Sequence, residues 1–382
     1  MRRVGFVVAV ACALACSAPG LATPIVKGRF SRSDTCGECH RDIYRMWRAS
    51  AHARSMEDPV FLDAYRQTKD REGAAVGRTC LECHAPVVSV TKDYDLTQKL
   101  SWEGVSCDVC HSITAVETSA AGARYTLDVG VVKRGPIKDA SSQAHDVRYS
   151  ELHAQALVCA PCHEFASPDG TPLMTTYSEW RQSEAGRSGK SCQRCHMGRT
   201  KADVVDPIVK RVPDAEVNLH EVPGGHSLEQ LNRALDVALL PRRESDAILL
   251  DVRLRNRGAG HAVPTGMPGR HVILSVKVRA GGKDPDEERR TYGKNFVTAG
   301  GEPISRDSSY FARGVRLASD TRLKADEERT EHFRFKVPAD ATAFVTVKLE
   351  YEHAPTGTDE NRTSITFFSE ERALLPGKPP GS

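Results

Sequence analysis

Ten cysteines carry most of the chemistry in this sequence: Cys36, Cys39, Cys80, Cys83, Cys107, Cys110, Cys159, Cys162, Cys192 and Cys195. They fall into five C-x-x-C pairs, and each pair is followed at once by a histidine: His40, His84, His111, His163 and His196. Histidine supplies 14 of 382 residues, so a chance follower is expected roughly one time in 27. Five coincidences in a row are negligible. The spacing suits covalent haem attachment. Each thiol adds to one vinyl group of the porphyrin, and the following residue presents its imidazole to the iron. The pattern predicts five haem c groups, held by the ten cysteines and ligated by the five histidines.

Rival chemistries fit poorly. Zinc ribbons use two C-x-x-C arms per metal, so five arms leave one unmatched, and they have no use for a histidine after every pair. Thiol redox motifs usually come singly on a thioredoxin-like unit. A cysteine-rich exported chain suggests disulfides, but a bridge within C-x-x-C is strained and requires no histidine.

An anchor histidine fills one axial position, and the opposite position decides between electron transfer and chemistry. Nine histidines lie outside the anchors. His52, His145, His153, His220, His226 and His261 are the candidate distal ligands. His52 follows His40 too closely to reach over the same ring easily, so a neighbouring iron is expected. His220 and His226 flank a glycine turn that brings backbone close to a ring. His271, His332 and His353 sit on strand-like runs and read as ordinary polar residues. Met174 and Met197 are rival ligands. Met197 directly follows an anchor histidine and points poorly, so packing is its expected role.

Elements must position these groups. The first residues predict an export signal: Arg2 and Arg3, an apolar run over residues 4–15, and small residues before a cut after Ala22. Cys12 and Cys16 leave with it; an uncleaved anchor and lipidation are the alternatives. The expected location is periplasmic, with membrane association or the outer surface as variants. Residues 23–243 are predicted to form a pentahaem domain. It is mostly α and irregular, because the macrocycles supply the core that the peptide cannot. Helices are expected over residues 42–56, from Asp58-Pro59 through Lys69, over 177–185, and after the capping pair Ser227 and Gln230, where apolar spacing runs to Ala238. Residues 123–133 alternate as a strand. From residue 244 to 375, "AILLDVRLRN", "HVILSVKVRA", "RTEHFRFKV" and "AFVTVKLEYE" predict an antiparallel β-sandwich. Residues 376–382 are expected to be a disordered tail. The fold class is thus mixed: a haem-cored α/irregular domain followed by a β-sandwich. The 40% hydrophobic and 27% charged composition is ordinary for a soluble protein, and a net charge of +3 gives no case for nucleic acid.

The segments "TCGECHRDIYRMWRASAHARSM", "WEGVSCDVCHSI" and "TYSEWRQSEAGRSGKSCQRCHMG" resemble multihaem c-type cytochromes, in the family containing the tetrahaem cytochrome that accepts electrons from hydroxylamine oxidoreductase. "NLHEVPGGHS" and "NRGAGHAVPTG" resemble its larger bacterial relatives. The resemblance spans about residues 34–270. It implies haems in close pairs, mostly bis-histidine ligation, periplasmic electron transfer, and a distal role for His52 and the histidines before the fourth anchor. This chain departs in having five anchors rather than four, and an added β-domain.

The leading expectation is an exported electron carrier rather than an enzyme. Its expected partners are other redox proteins (cytochromes or a membrane quinol oxidoreductase), with an outer-surface or homo-oligomeric assembly as a further reading. The alternative is a reductase or oxidase of a small nitrogen or sulfur oxyanion at one open-faced haem.

Overall fold

The computed structural model describes residues 25–119, 122–167, 169–205, 215–282, 284–353 and 363–376. The expected export segment, with Cys12 and Cys16, and the tail from residue 377 lie outside the described residues.

Short helices carry the first half. Asp58 caps the longest described helix, Pro59–Glu72, by accepting the Val60 N–H at 2.9 Å. Pro59 opens it without losing a hydrogen bond. Gly73, at φ 92°, turns the chain directly into the next helix, Ala74–His84. The helix expected over residues 42–56 is shorter, running only from Arg41 to Ala49. Ser50 ends it with extended backbone, and its hydroxyl accepts from Ala53 N at 3.1 Å. That local bond competes with helix continuation. The expected helix over residues 177–185 is likewise split at Ser183 into Thr176–Gln182 and Glu184–Arg187, with the Ser183 hydroxyl capping the second.

The peptide core of this half is thin. Its main apolar cluster gathers Met56, Tyr65, Leu81, Ala85, Val87, Val88 and Val109. Strands are sparse: Ile113–Ser119 pairs antiparallel with Gly122–Leu127, and Val132–Gly135 pairs parallel with Asp146–Tyr149.

The second half is built differently. Leu235–Arg243, Ala247–Asn256 and Glu328–Lys336 form one antiparallel sheet. Asp286–Tyr292, Arg270–Ala280, Ala343–His353 and Thr363–Leu374 form another. Side chains alternate with period two. Ile248, Leu250, Val252 and Leu254 from the first sheet share a core with Val272, Leu274, Val276 and Val347 from the second. Each such burial contributes roughly 1.5–3 kcal/mol.

Strand structure begins before residue 244. Helix Leu228–Ala234 is capped by Ser227, as its capping pair predicts, but strand begins at Leu235 and pairs with Ala247–Asn256 along its whole length. Leu231, Leu235 and Leu239 recur every four residues, a spacing that serves helix and strand alike, and tertiary pairing decides between them. Among the described residues, no helix is long and apolar enough to cross a membrane.

Candidate haem sites

All five anchors sit on short helical turns. Cys80, Cys83 and His84 close the Ala74–His84 helix; Cys107–His111 and Cys192–His196 are helices in themselves. Cys159 ends one turn and Cys162-His163 ends the next, while Cys36 lies in Ser33–Gly37 and His40 caps Arg41–Ala49. On a helix, residues i, i+3 and i+4 share a face. Two sulfurs and an imidazole therefore project to one side, as thioether attachment beneath an axial ligand requires.

The anchor imidazoles are oriented by backbone carbonyls. The Nδ1 of His40 meets Val204 O at 2.5 Å, that of His111 meets Arg134 O at 2.6 Å, and that of His196 meets Pro223 O at 2.6 Å. A carbonyl only accepts, so each Nδ1 carries the proton and Nε2 keeps its lone pair for a metal. Burial pushes His84, His111 and His163 down to about 4, which keeps these rings neutral.

Four anchor imidazoles face a second imidazole. Ring centroids lie 6.2 Å apart for His40 and His145, 6.4 Å for His163 and His52, 5.9 Å for His111 and His153, and 6.3 Å for His196 and His261. Such gaps are too wide for stacking. They suit one metal between two rings, since two metal–nitrogen bonds of about 2 Å plus the ring radii span about 6 Å. His52 reaches the fourth anchor and not its own neighbour His40. His153 also places Nε2 at 2.9 Å from Cys110 O, a bond that iron ligation would exchange.

The remaining candidates behave differently. His220 bonds Asn218 O through Nδ1 at 2.6 Å; it acts electrostatically on His111, but among the described ring contacts it pairs with no anchor imidazole. His226 packs edge-on against Tyr351, with centroids 5.8 Å apart. His84 lacks a facing imidazole among the described residues. Its ring stacks flat on Phe61 at 3.6 Å, and Ser55 O lies 3.4 Å from its Nδ1.

Sulfurs of different anchors adjoin. Cys36 lies beside Cys107, Cys159 beside Cys192, and Cys83 beside Cys162. Cys110 acts electrostatically on both Cys159 and Cys162. The fourth anchor thus neighbours the second, third and fifth, while the first joins through the third.

Local sequence explains how the distal histidines are held. Gly104, at φ 67°, leaves no room for a side chain against the His52 carbonyl, and Val105 N donates to that same oxygen at 3.0 Å. The segment "WEGVSC" therefore fixes His52. In "NRGAGHAVPTG", a Cβ on Gly258 would overlap the Arg233 carbonyl, and one on Gly260 would lie 2.8 Å from the Ala185 methyl. Close approach makes both glycines necessary. Gly258→Ala should cost about 1–3 kcal/mol through overpacking. A lowered thermal midpoint, with altered ligation at the fifth anchor, checks this; unchanged melting would contradict it.

Sequence reasoning missed the positioning groups. Gln193, inside the fifth anchor, donates to His153 O at 3.1 Å and Gln155 O at 2.8 Å, tying a distal histidine to another site. The carbonyls of Val204, Arg134 and Pro223 carry no sequence signature at all. Buried Asp108, within the third anchor, accepts from Ser31 N at 2.7 Å and pairs with Lys133 at 2.5 Å.

Comparison with known proteins agrees with this geometry. The family model "Cytochrome c554 and c-prime" matches residues 35–112, the stretch bearing the first three anchors. A penta-heme cytochrome c552 from Thermochromatium tepidum is similar in structure, with a TM-score of 0.71 and 22% identity, covering 91% of this chain and 100% of that one. Spo0M, a sporulation control protein from Bacillus subtilis, gives a TM-score of 0.17 at 12% identity, over 38% of this chain and 51% of that one, and carries no argument. No curated protein matches. The residues fit five covalently attached haem c groups, and the chain has the fold of a multihaem c-type cytochrome.

Proposed function

We propose that this protein is an exported pentahaem electron carrier with four bis-histidine irons, working in the periplasm between other redox proteins (cytochromes or a membrane quinol oxidoreductase). The single observation that carries the reading is the set of four imidazole pairs, 5.9–6.4 Å apart, across four anchors. When bound, haem supplies a one-electron Fe(III)/Fe(II) couple. The chain does the rest. Two cysteines would fix each of the five rings, facing imidazoles would ligate four of the irons from both sides, and adjoining sulfurs would keep the attachment edges side by side. The two facing sheets of the C-terminal domain serve as a sandwich-like cap that donates His261. Kinship with the electron acceptor of hydroxylamine oxidoreductase, and an outer-surface or oligomeric assembly, belong to the same proposal.

A second reading has its own observation at the second anchor. His84 has no facing imidazole among the described residues, and Arg270 acts electrostatically on His84, His226 and Tyr351 together. One Arg270 nitrogen, Nη1, is buried without a partner. A guanidinium beside a histidine and a tyrosine supplies the charge and protons that a small nitrogen or sulfur oxyanion needs. Electron paramagnetic resonance of the oxidised protein tests both readings. The expected spectrum holds four low-spin haems and one high-spin haem that takes up azide. Five low-spin signals would remove the second reading, and a colourless chain of bare polypeptide mass would remove both.

A further inference from the structure

The fifth anchor, Cys192–His196, belongs to the N-terminal half, but the imidazole facing it, His261, comes from the β-domain. Something must hold that loop in register across the domain boundary. The connection is concentrated on one carboxylate. Glu179, on the helix Thr176–Gln182 between the fourth and fifth anchors, receives two donors on each oxygen. Thr175 Oγ1 and Arg322 Nη2 reach Oε1 at 2.6 and 2.8 Å. Ala262 N and Thr265 Oγ1 both reach Oε2 at 3.1 Å. Three of those four donors lie in the β-domain, and Ala262 directly follows His261.

The other side of the loop is held from within the β-domain. Asn256 Nδ2 donates to the His261 carbonyl at 2.8 Å, and Val263 and Leu323 exchange backbone bonds at 2.8 and 3.0 Å. Arg322 is 7% exposed and also binds Asp320 at 2.7 Å and Pro264 O at 3.3 Å. Through Glu179 the anchor-bearing half grips this arrangement. Burial opposes its charge, but Arg322 and the converging donors outweigh that and hold the carboxyl below its usual range.

We propose that Glu179 is a positioning residue for the distal ligand of the fifth iron: its carboxylate sets His261 opposite His196 and makes docking of the β-domain a condition of closed coordination there. This rests on the reading of His196 and His261 as an axial pair. Its negative charge, close to that pair, also favours the more positive ferric state, so its loss raises the potential of this haem alone.

The test uses the full haem-loaded protein, with haem counted by mass in every variant. His261→Ala supplies the reference: the low-spin signal of one haem in five turns high-spin. Glu179→Ala is expected to convert part of that same signal and to move the same midpoint upward. Glu179→Asp should restore part of both. Thr171→Val, which removes another inter-domain bond (Thr171 Oγ1 to Val315 O, 2.9 Å), should change neither. A Glu179→Ala protein with five haems, a wild-type low-spin spectrum and unmoved potentials overturns the proposal. So does an equal change in Thr171→Val, which would mean general loosening. Should Glu179→Ala fail to accumulate, Glu179→Gln and Thr265→Val are read by the same spectra and potentials, and wild-type behaviour in both overturns the proposal equally. If His261→Ala itself alters no haem, the axial pairing fails instead, independently of Glu179.

Discussion

Removing the fourth anchor with Cys159→Ala and Cys162→Ala should leave a protein lighter by one haem whose remaining four no longer exchange electrons as one set. The reason lies in the sulfurs. Cys159 adjoins Cys192, Cys162 adjoins Cys83, and Cys110 bears on both. Among the described residues, no other anchor's sulfurs bear on three neighbouring anchors. Loss of the first anchor, by contrast, trims an end, since Cys36 adjoins Cys107 alone among the anchor sulfurs of other motifs. Rapid mixing with a reductant checks this. Wild-type protein and the first-anchor variant should each reduce in a connected progression, whereas the fourth-anchor variant should split into separated phases. Identical progress curves would sink the junction role. His52 should also become idle, because His163 is the anchor ring it faces.

The second large effect is expected from His261→Met. A thioether favours the reduced iron more than an imidazole does. One midpoint should rise by on the order of 0.1 V, within the roughly 0.8 V that axial ligands command. The other four should hold, because His196 is the anchor ring opposite His261. A spectroelectrochemical titration separates the components, and a curve overlaying the wild type would refute the ligand assignment. The same substitution at His220 should move nothing comparable, since among the described ring contacts its imidazole is paired with no anchor histidine.

The anchors were legible because their chemistry is local: two thiols and an imidazole must sit at fixed offsets on one helical turn. Four of the β-strands were equally plain, since the quoted runs alternate with period two, and Ala247–Asn256 coincides with its predicted run. Distal pairing was not legible. His145 precedes the fourth anchor in sequence yet faces the first, and His153 faces the third. Nothing in local propensity encodes such returns; they depend on Gln193 reaching back to His153 O and on Gly104 admitting the His52 carbonyl. The strand beginning at Leu235 was hidden for a different reason. Leucines four apart satisfy both periods, and only the partner strand separates them. Glu179 was invisible because a carboxylate on an amphipathic turn reads as solvated until its donors from residues 262, 265 and 322 are in place.

The division of the facing imidazoles between the two halves bears on how the molecule is made. His52, His145 and His153 all precede the fifth anchor in the chain, although His145 and His153 follow the anchors they face. His261 emerges last, after the fifth anchor has already passed. Three imidazole pairs are therefore complete within the first 163 residues, and the fourth, at the fifth anchor, needs a β-domain whose strands follow it in the chain. Any product truncated between residues 197 and 260 would carry all five attachment motifs and still lack the imidazole that faces His196.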